Sequence, residues 1–306
     1  PLREWRPEAP TRRDMEARIE SVQVRPHVWR LADIAGNRCY LIVGDERAAL
    51  VDTMEGVGDL RAEVERITSL PVTVLLTHHH HDHVGGAYSF EKVGISAVDD
   101  GFWETEEDAE ARIREQLRER FELPEGTFFS TAEGARPRTW HVAEGYELDL
   151  GGETVRAVAL PGHTRGSMGY VVEGERVLLS GDAVTPCMTL FYDDSTSVDE
   201  WVRTLGKMEG LDVDSIMTGH YDHEFVPADL AGWRELALWA KDDRGMRWQN
   251  ISLPELRGCL HVMSEDGVDP DSAEFRALIE RPKPRVRSGR RRHRGAKADG
   301  AAEDRA

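Results

Sequence analysis

The sequence is poor in cysteine and has no long apolar run. Its 306 residues include only three cysteines, Cys39, Cys187 and Cys259, which are widely spaced and form no CxxC pair. This pattern excludes a disulfide scaffold and a cysteine-based zinc ribbon. Apolar runs such as residues 72–76 fall far short of the roughly 18 residues that a membrane helix needs. The charged first 20 residues also lack the apolar centre of a secretory signal. We therefore expect a cytoplasmic protein that does not span a membrane.

Basic residues are scarce as well. Lys and Arg number 39 against 57 Asp and Glu, a formal net charge of −18, which disfavours nucleic acid as a partner. Ten of the 39 lie in residues 281–306, a segment with little to bury that we predict to be a disordered basic tail. Residues 1–280 carry 29 basic and 54 acidic residues, a net charge of −25. Any contact with nucleic acid is therefore expected through the tail.

The apolar pattern predicts two halves that are rich in strands. Residues 22–53 are typical of three strands in a meander, 72–77 of a buried strand, and 146–182 of further strands that close with a hairpin turning at Glu173-Gly174. Each half ends in segments with helical spacing. We therefore predict an α+β fold in which two sheets face each other with helices outside, a four-layer αββα sandwich.

Helical spacing is clearest in three places. Leu60, Val64 and Ile67 predict a helix before the buried strand, and residues 103–123 predict a highly charged helix to which we assign no function. After residue 228, a repeat of apolar residues and a capping box at 252–255 predict a C-terminal helical extension. The predicted organisation is an N-terminal arm (1–21), a main domain (22–228), the helical extension (229–280) and the basic tail (281–306).

Five of the twelve histidines lie between positions 78 and 83, directly after the buried strand. In an extended segment, His78 and His80 lie on the same side and can converge on one metal ion. Asp82 and His83 follow where two glycines permit a tight turn and close helix packing, so this pair can face a second ion. Imidazole and carboxylate are ligands expected for zinc. His79 and His81 lie on the opposite side, and we interpret them as supporting or surface residues rather than ligands.

Four residues from one loop cannot close two metal sites, so further ligands must come from elsewhere in the chain. Three residues of the right type each follow another apolar strand: His163, Asp182 and His220. Ligand sites of open α/β layers lie at the carboxyl ends of strands. Three such residues at three strand ends favour metal binding over three unrelated structural roles.

These residues resemble the metal ligands of the metallo-β-lactamase superfamily, whose HxHxDH motif is matched by residues 78–83. The resemblance covers roughly residues 22–225 and implies that the main domain is an αββα hydrolase with two divalent metals. Zinc is the favoured metal, and iron or manganese accept the same ligands. Asp52 resembles the aspartate that braces the histidine loop in this family. The resemblance implies a first metal held by His78, His80 and His163, a second held by Asp82, His83 and His220, and a bridging Asp182.

The implied chemistry is hydrolysis by a binuclear site. Two ions roughly 3.5–4 Å apart share a bridging water and lower its pKa towards about 7, so hydroxide can attack a carbonyl while Asp82 orients it. The segments THHHHDHVGG and PGHTRGS resemble the glyoxalase II-like subgroup, which implies a small thioester, ester or lactone as substrate. Candidate substrate contacts near the ligands in sequence are Arg165, Tyr192, Tyr221 and His223.

Three alternatives remain open. A phosphodiesterase or nuclease uses the same ions on the same fold, but the acidic body disfavours a polyanion. β-Lactam hydrolysis is expected only as a minor activity, because Asp182 stands at a position where the pattern of the best-known β-lactamases has cysteine. A non-catalytic structural metal site is the third alternative, although structural zinc normally has four protein ligands and no open position. The sequence carries no indication of the oligomeric state.

Overall fold

The first half of the chain folds into a seven-stranded sheet. This computed structural model describes residues 18–101, 103, 111–113, 115, 117, 123, 126–130, 136–242, 245–249, 257–263 and 275–281. The strands of the first sheet lie side by side in chain order. Pairs from β1 to β4 are antiparallel, and pairs from β4 to β7 are parallel. The strands are β1 (Glu20–Gln23), β2 (Val28–Ala32), β3 (Arg38–Val43), β4 (Ala48–Val51), β5 (Val72–Leu75), β6 (Lys92–Ile95) and β7 (Arg138–His141).

A second sheet has five strands in the order β13-β11-β10-β9-β8. Strand β10 lies antiparallel between β9 and β11, and β11 is parallel to β13. Because β9, β11 and β13 therefore run in the same direction, their carboxyl ends meet at one edge of the sheet. The predicted hairpin is confirmed, since β10 pairs directly with β11. The strands are β8 (Glu147–Asp149), β9 (Thr154–Ala159), β10 (Met168–Val172), β11 (Val177–Gly181) and β13 (Ser215–Thr218).

The two sheets pack face to face around one apolar core. Ile42 and Leu75 from the first sheet lie in one buried cluster with Val155, Tyr170 and Leu179 from the second. The phenolic hydroxyl of Tyr170 also donates a hydrogen bond across the interface to the carbonyl oxygen of residue 76, at 2.9 Å. Burial of apolar side chains between the sheets is the main force that holds such a sandwich together.

Helices cover the outer faces of both sheets. Helix α1 (Leu60–Ile67) begins at Asp59, whose side chain accepts a hydrogen bond from the backbone N–H of residue 62, and it buries Leu60 and Val64 against the first sheet. On the other side, α3 (Val198–Glu209) and α4 (Leu230–Asp242) pack on the second sheet. A short helix, α2 (His81–Val84), lies at the end of β5. The predicted αββα sandwich is therefore confirmed.

Two buried tryptophans fasten the outer helices to the edge where β11 ends. The indole N–H of Trp201 in α3 donates to the carbonyl oxygen of Ala183, and that of Trp233 in α4 donates to the carbonyl oxygen of Thr185, both at 2.9 Å. Each ring buries a large apolar surface while its polar atom finds a partner. These contacts hold the segment that follows Asp182 in place.

The predicted helical extension is wrong in its second half. Residues 230–242 are helical, but the described residues that follow form three strands of a third sheet, in the order β12-β16-β15-β14. Strand β16 is almost wholly apolar and buried, and it fits between a parallel and an antiparallel neighbour. The capping-box segment at 252–255 lies outside the described residues. The strands are β12 (Cys187–Leu190), β14 (Met246–Gln249), β15 (Arg257–Val262) and β16 (Ala277–Glu280).

Several predicted segments lie wholly or partly outside the described residues: 1–17 of the N-terminal arm, most of the charged helix at 103–123, and 282–306 of the basic tail. Of the charged helix, Ile113 and Leu117 are described, and both are buried beside Ile34, Val57 and Phe129. Among the helices that the structure describes, none is both long and apolar enough to span a bilayer.

Candidate metal centre

The histidine loop leaves the carboxyl end of β5 and runs directly into α2. Hydrogen bonds from the second sheet fix its start, since the backbone N–H of Met168 donates to the carbonyl oxygen of Thr77 at 2.7 Å. The glycines after the loop serve close packing more than a tight turn. A Cβ on Gly85, which has an ordinary φ of −59°, would lie 2.1 Å from the carbonyl oxygen of Glu55. Only glycine therefore lets α2 approach the segment that follows β4.

The loop meets His163, which follows β9, at the edge of the second sheet. His78, His80 and His163 each offer a ligand atom within 4.8 Å of the other two. The closest pair is Nδ1 of His80 and Nε2 of His163, which lie 2.7 Å apart. Three imidazole nitrogens this close together can coordinate one metal ion.

A second donor group lies beside the first. Asp82, His83 and His220 also offer ligand atoms within 4.8 Å of one another. Asp182 lies between the groups: its Oδ2 is 3.2 Å from Nε2 of His220 and 3.8 Å from Nε2 of His163. The structure thus brings all seven predicted ligand positions together, from the ends of β5, β9, β11 and β13.

Buried polar atoms in this cluster fit a cation. Among the described residues, neither Nε2 of His78 nor Oδ1 of Asp182 has a hydrogen-bond partner, although both atoms are buried. Leaving such atoms unpaired costs free energy unless a ligand satisfies them. There is also no spare room for a side chain, since a Cβ on Gly219 would lie 2.5 Å from Cε1 of His83. The donor set and its unpaired atoms therefore fit divalent metal ions.

Burial and neighbouring charges set the protonation of the cluster. Burial, reinforced by His80, lowers the pKa of His163 to about 4. Burial and the adjacent imidazoles likewise hold the pKa of His78 well below its usual range. Burial would also lower the pKa of His83, but Asp182 and Asp52 outweigh it and raise the pKa to about 10. Neutral imidazole is the form that binds metal, so His78 and His163 are ready for a cation at pH 7.

Each of three histidines in the cluster also contacts a polar group on its outer nitrogen. Nδ1 of His83 lies 2.8 Å from Oδ2 of Asp52, and Nδ1 of His78 lies 3.0 Å from Oγ1 of Thr77. Nδ1 of His163 lies 2.9 Å from Oγ1 of Thr189. Outer contacts of this kind fix the tautomer and the orientation of metal-binding imidazoles. Asp52 therefore lies where a residue that braces the histidine loop is expected.

His79 and His81 do not join either donor group formed by the predicted ligands. Both nitrogens of His79 face carboxylates, Nδ1 at 3.1 Å from Asp99 and Nε2 at 3.1 Å from Asp194. Burial lowers the pKa of His79, but the two acids outweigh it and raise the pKa to about 9. Nε2 of His81 faces Glu55 at 3.6 Å. The side chain of His79 is thus largely buried between two carboxylates rather than exposed.

The candidate substrate residues separate into different places. The ring of Tyr192 lies 4.7 Å from that of His80 and 5.6 Å from that of His163, between ring centroids. The exposed Arg165 donates a hydrogen bond to the carbonyl oxygen of Asp193. His223 packs edge-on against Phe225, at 4.5 Å between centroids, and 5.7 Å from the ring of Tyr221. Of the predicted substrate residues, Tyr192 therefore packs against the rings of the first donor group.

Sequence reasoning missed three acidic residues around the centre. Asp99 lies just beyond the end of β6. The search for ligand-type residues after apolar strands, which located Asp182, could therefore have found it. Glu55 lies in a turn after β4, and burial together with Asp82 raises its pKa to about 8 against the opposing effect of Arg112. Asp194 lies in the loop after β12 and has no such signal in the sequence.

The family model of the metallo-beta-lactamase superfamily matches residues 34–220, more than half of the chain. The chain belongs to the metallo-beta-lactamase superfamily. The resemblance drawn from the HxHxDH motif is therefore confirmed.

The relatives of this superfamily member include named thioesterases. Acyl-coenzyme A thioesterase MBLAC2 of Homo sapiens is 26% identical over 223 residues, which cover 61% of this chain and 75% of that protein. Hydroxyacylglutathione hydrolase GloC of Haemophilus influenzae is 32% identical over 156 residues, covering 48% and 66%. The chain spans about half to three quarters of the length of the curated relatives it matches.

Solved structures support the fold of this superfamily member. A metallo-beta-lactamase from Pontibacter korlensis superposes with a TM-score of 0.52 at 15% sequence identity, over 72% of this chain and 99% of that one. At this identity the likeness establishes the sandwich and leaves the substrate open.

Proposed function

We propose that this chain is a metal-dependent hydrolase of small thioesters, with esters and lactones as related substrates. The observation that carries the proposal is the convergence of two donor groups at one sheet edge, with Oδ1 of Asp182, a buried atom without a hydrogen-bond partner, between them. The thioesterase and hydroxyacylglutathione hydrolase names of two relatives support the choice of substrate class.

We further propose that the site is binuclear and that zinc fills it, with iron or manganese as substitutes. His78, His80 and His163 would hold the first ion, Asp82, His83 and His220 the second, and Asp182 would contact both. Two such ions supply Lewis-acid polarisation of the substrate oxygen and a water that ionises near neutral pH.

The chain's own residues orient the reaction. His78 and His83 are at most 1% exposed and form the floor of the site, whereas the side chains of Asp82 and His220 are about a quarter exposed. Substrate therefore approaches from the side of Asp82. Burial would raise the pKa of Asp82, but His83 and His81 outweigh it and lower the pKa below its usual range. Asp82 is thus ionised, and its carboxylate accepts a hydrogen bond from the attacking water and orients it.

Two further points follow for the biological setting. Asp182 in the bridging position leaves β-lactam hydrolysis as a minor activity. A cytoplasmic location remains a prediction, supported by the three cysteines, which are all free thiols.

The experiment is a substrate panel with the full chain. Purified protein is assayed with zinc or manganese on acyl-coenzyme A, hydroxyacylglutathione, a lactone, a β-lactam and a phosphodiester. We expect thioester hydrolysis by protein that holds close to two equivalents of metal. His78→Ala should lose the activity and bound metal. The matched control is His141→Ala, which removes an imidazole that is 60% exposed and contacts Asp100 outside the donor groups. Full thioester turnover after exhaustive chelation would refute the proposal.

A further inference from the structure

A chain of polar contacts runs from Asp99 through His79 and Asp194 to His80. Oδ2 of Asp99 lies 3.1 Å from Nδ1 of His79, and Nε2 of His79 lies 3.1 Å from Oδ2 of Asp194. The same oxygen of Asp194 lies 3.7 Å from Nε2 of His80. The side chains are 2%, 11% and 18% exposed for Asp99, His79 and Asp194, so solvent screens these contacts only weakly.

His79 lies between two carboxylates. Its Nδ1 and Nε2 each lie 3.1 Å from a carboxylate oxygen, on Asp99 and Asp194 respectively. The imidazole therefore links the two acids. Asp99 is also held by Thr164, whose hydroxyl donates to the same Oδ2 atom at 2.8 Å and whose neighbour in the sequence is His163.

At the other end of this series of contacts, Asp194 faces the outer nitrogen of His80. The inner nitrogen, Nδ1, lies 2.7 Å from Nε2 of His163 and so points into the first donor group. Asp194 thus lies beside the outer nitrogen of His80 as Asp52 lies beside that of His83, but at 3.7 Å rather than 2.8 Å, as a charge contact without a direct hydrogen bond. Carboxylates on the outer nitrogen of a metal-binding histidine orient the ring and increase its basicity.

The loop that carries Asp194 is fastened from outside as well. The backbone N–H of Arg165 donates to the carbonyl oxygen of Asp194 at 2.9 Å, and the guanidinium of Arg281 donates to the carbonyl oxygen of Ser195 at 2.5 Å. Tyr192, whose ring packs on His80, belongs to the same loop. His79 also ties this loop to the histidine loop, through its contact with Asp194.

We propose that His79 is a positioning residue: by bridging Asp99 and Asp194, it holds the carboxylate of Asp194 against His80 and so orients that imidazole towards the first metal. The inference rests on the proposed function to the extent that His78, His80 and His163 hold a metal. It adds a role for a histidine outside the HxHxDH ligand set.

The test measures metal affinity in the full chain, separately from turnover. His79→Phe keeps a ring of similar size and removes both donors, and Asp194→Asn keeps the shape and removes the charge. For each variant we expect one of two zinc equivalents to bind about 10–100-fold more weakly. The double variant is expected to bind no more weakly than the worse single variant, because both act through one chain of contacts. His81→Phe, the matched control, should retain the affinity of the wild type.

Cobalt(II) substitution and metal-free melting separate positioning from simple support of the fold. We expect His79→Phe to change the visible cobalt spectrum, which reports the ligand geometry, and His79→Gln, which restores one donor, to give an intermediate affinity. A purely structural role would lower the melting temperature of the metal-free protein and leave the cobalt spectrum and zinc affinity as in the wild type, which would overturn the inference. Asp194→Asn carries the same test should His79→Phe fail to fold.

Failure of the proposed function gives a different result. Wild-type protein that binds two zinc ions but hydrolyses no thioester would contradict the proposed substrate class, and the affinity ratios would still decide the role of His79. Wild-type protein that binds no metal at all would contradict both.

Discussion

Asp52 combines an unusual backbone with three contacts to the histidine loop. Its φ of 65° lies in the left-handed region, and its carboxylate accepts hydrogen bonds from the N–H and the hydroxyl of Thr77 and contacts His83. Asparagine tolerates this backbone and keeps one acceptor, whereas alanine does neither. We expect Asp52→Ala to lower the free energy of unfolding by about 1–3 kcal/mol, because the buried N–H of Thr77 loses its partner, and Asp52→Asn to lower it less. Urea unfolding of the metal-free proteins measures both values, and equal losses would contradict this account.

The close packing of the donor residues can be tested at Gly219. A Cβ at this position would lie 2.5 Å from Cε1 of His83 and 2.8 Å from Oδ1 of Asp182, so one of these side chains must move. We expect Gly219→Ala to weaken zinc binding at least about tenfold, as loss of ligand orientation does elsewhere. Gly101→Ala is the control, since no described atom beyond its two chain neighbours lies within 4 Å of its added Cβ. Zinc competition with a coloured chelator measures the difference, and equal affinities for the two variants would show that the cluster tolerates the methyl group.

At the scale of elements, the third sheet reaches the metal centre through aromatic rings. Trp248 in β14 lies 4.8 Å from Phe191, which lies 4.2 Å from Tyr192, which packs on His80. Removing one aromatic contact costs about 1 kcal/mol, which corresponds to about a fivefold change in an equilibrium constant. We expect Trp248→Ala to loosen the ring of Tyr192 beside His80 and so raise KM for thioesters about fivefold. Steady-state kinetics with Trp239→Ala as the control checks this, because Trp239 is exposed on α4. Equal KM values for the two variants would show that these rings do not position Tyr192.

The elements that sequence reasoning predicted correctly are those with local signals. Helix α1 has its three apolar residues on one face, and the metal-binding positions follow apolar strands. The third sheet carries no comparable signal, because β16 pairs with β12, almost 90 residues earlier in the chain. Asp194 was not predicted for the same reason: it is an acid in a loop, and its contact with His79 joins two distant parts of the sequence. Local periodicity thus identified the sandwich and the strand ends that carry the predicted donor residues, whereas the third sheet and Asp194 depend on pairing between distant parts of the sequence.

For the whole molecule, the proposed metal centre is a junction between the two sheets. His78 and His83 come from the end of β5 in the first sheet, and His163, Asp182 and His220 come from the second. An ion bound by both sets therefore links the sheets at one end of the sandwich. Any ligand that binds the folded state more tightly than the unfolded chain raises the free energy of unfolding.

We therefore expect zinc to stabilise the full chain. At a free metal concentration about 100 times the dissociation constant, one site contributes about 2.7 kcal/mol, reduced by any binding to unfolded histidines. Urea unfolding in buffered zinc and in chelator measures this difference. His163→Ala removes a donor that the second sheet contributes, so its zinc-dependent gain should be clearly smaller than that of the wild type, while His81→Ala should match the wild type. The same unfolding midpoint with zinc and with chelator would mean that no ion joins the two sheets, since a metal that bridges them must oppose their separation.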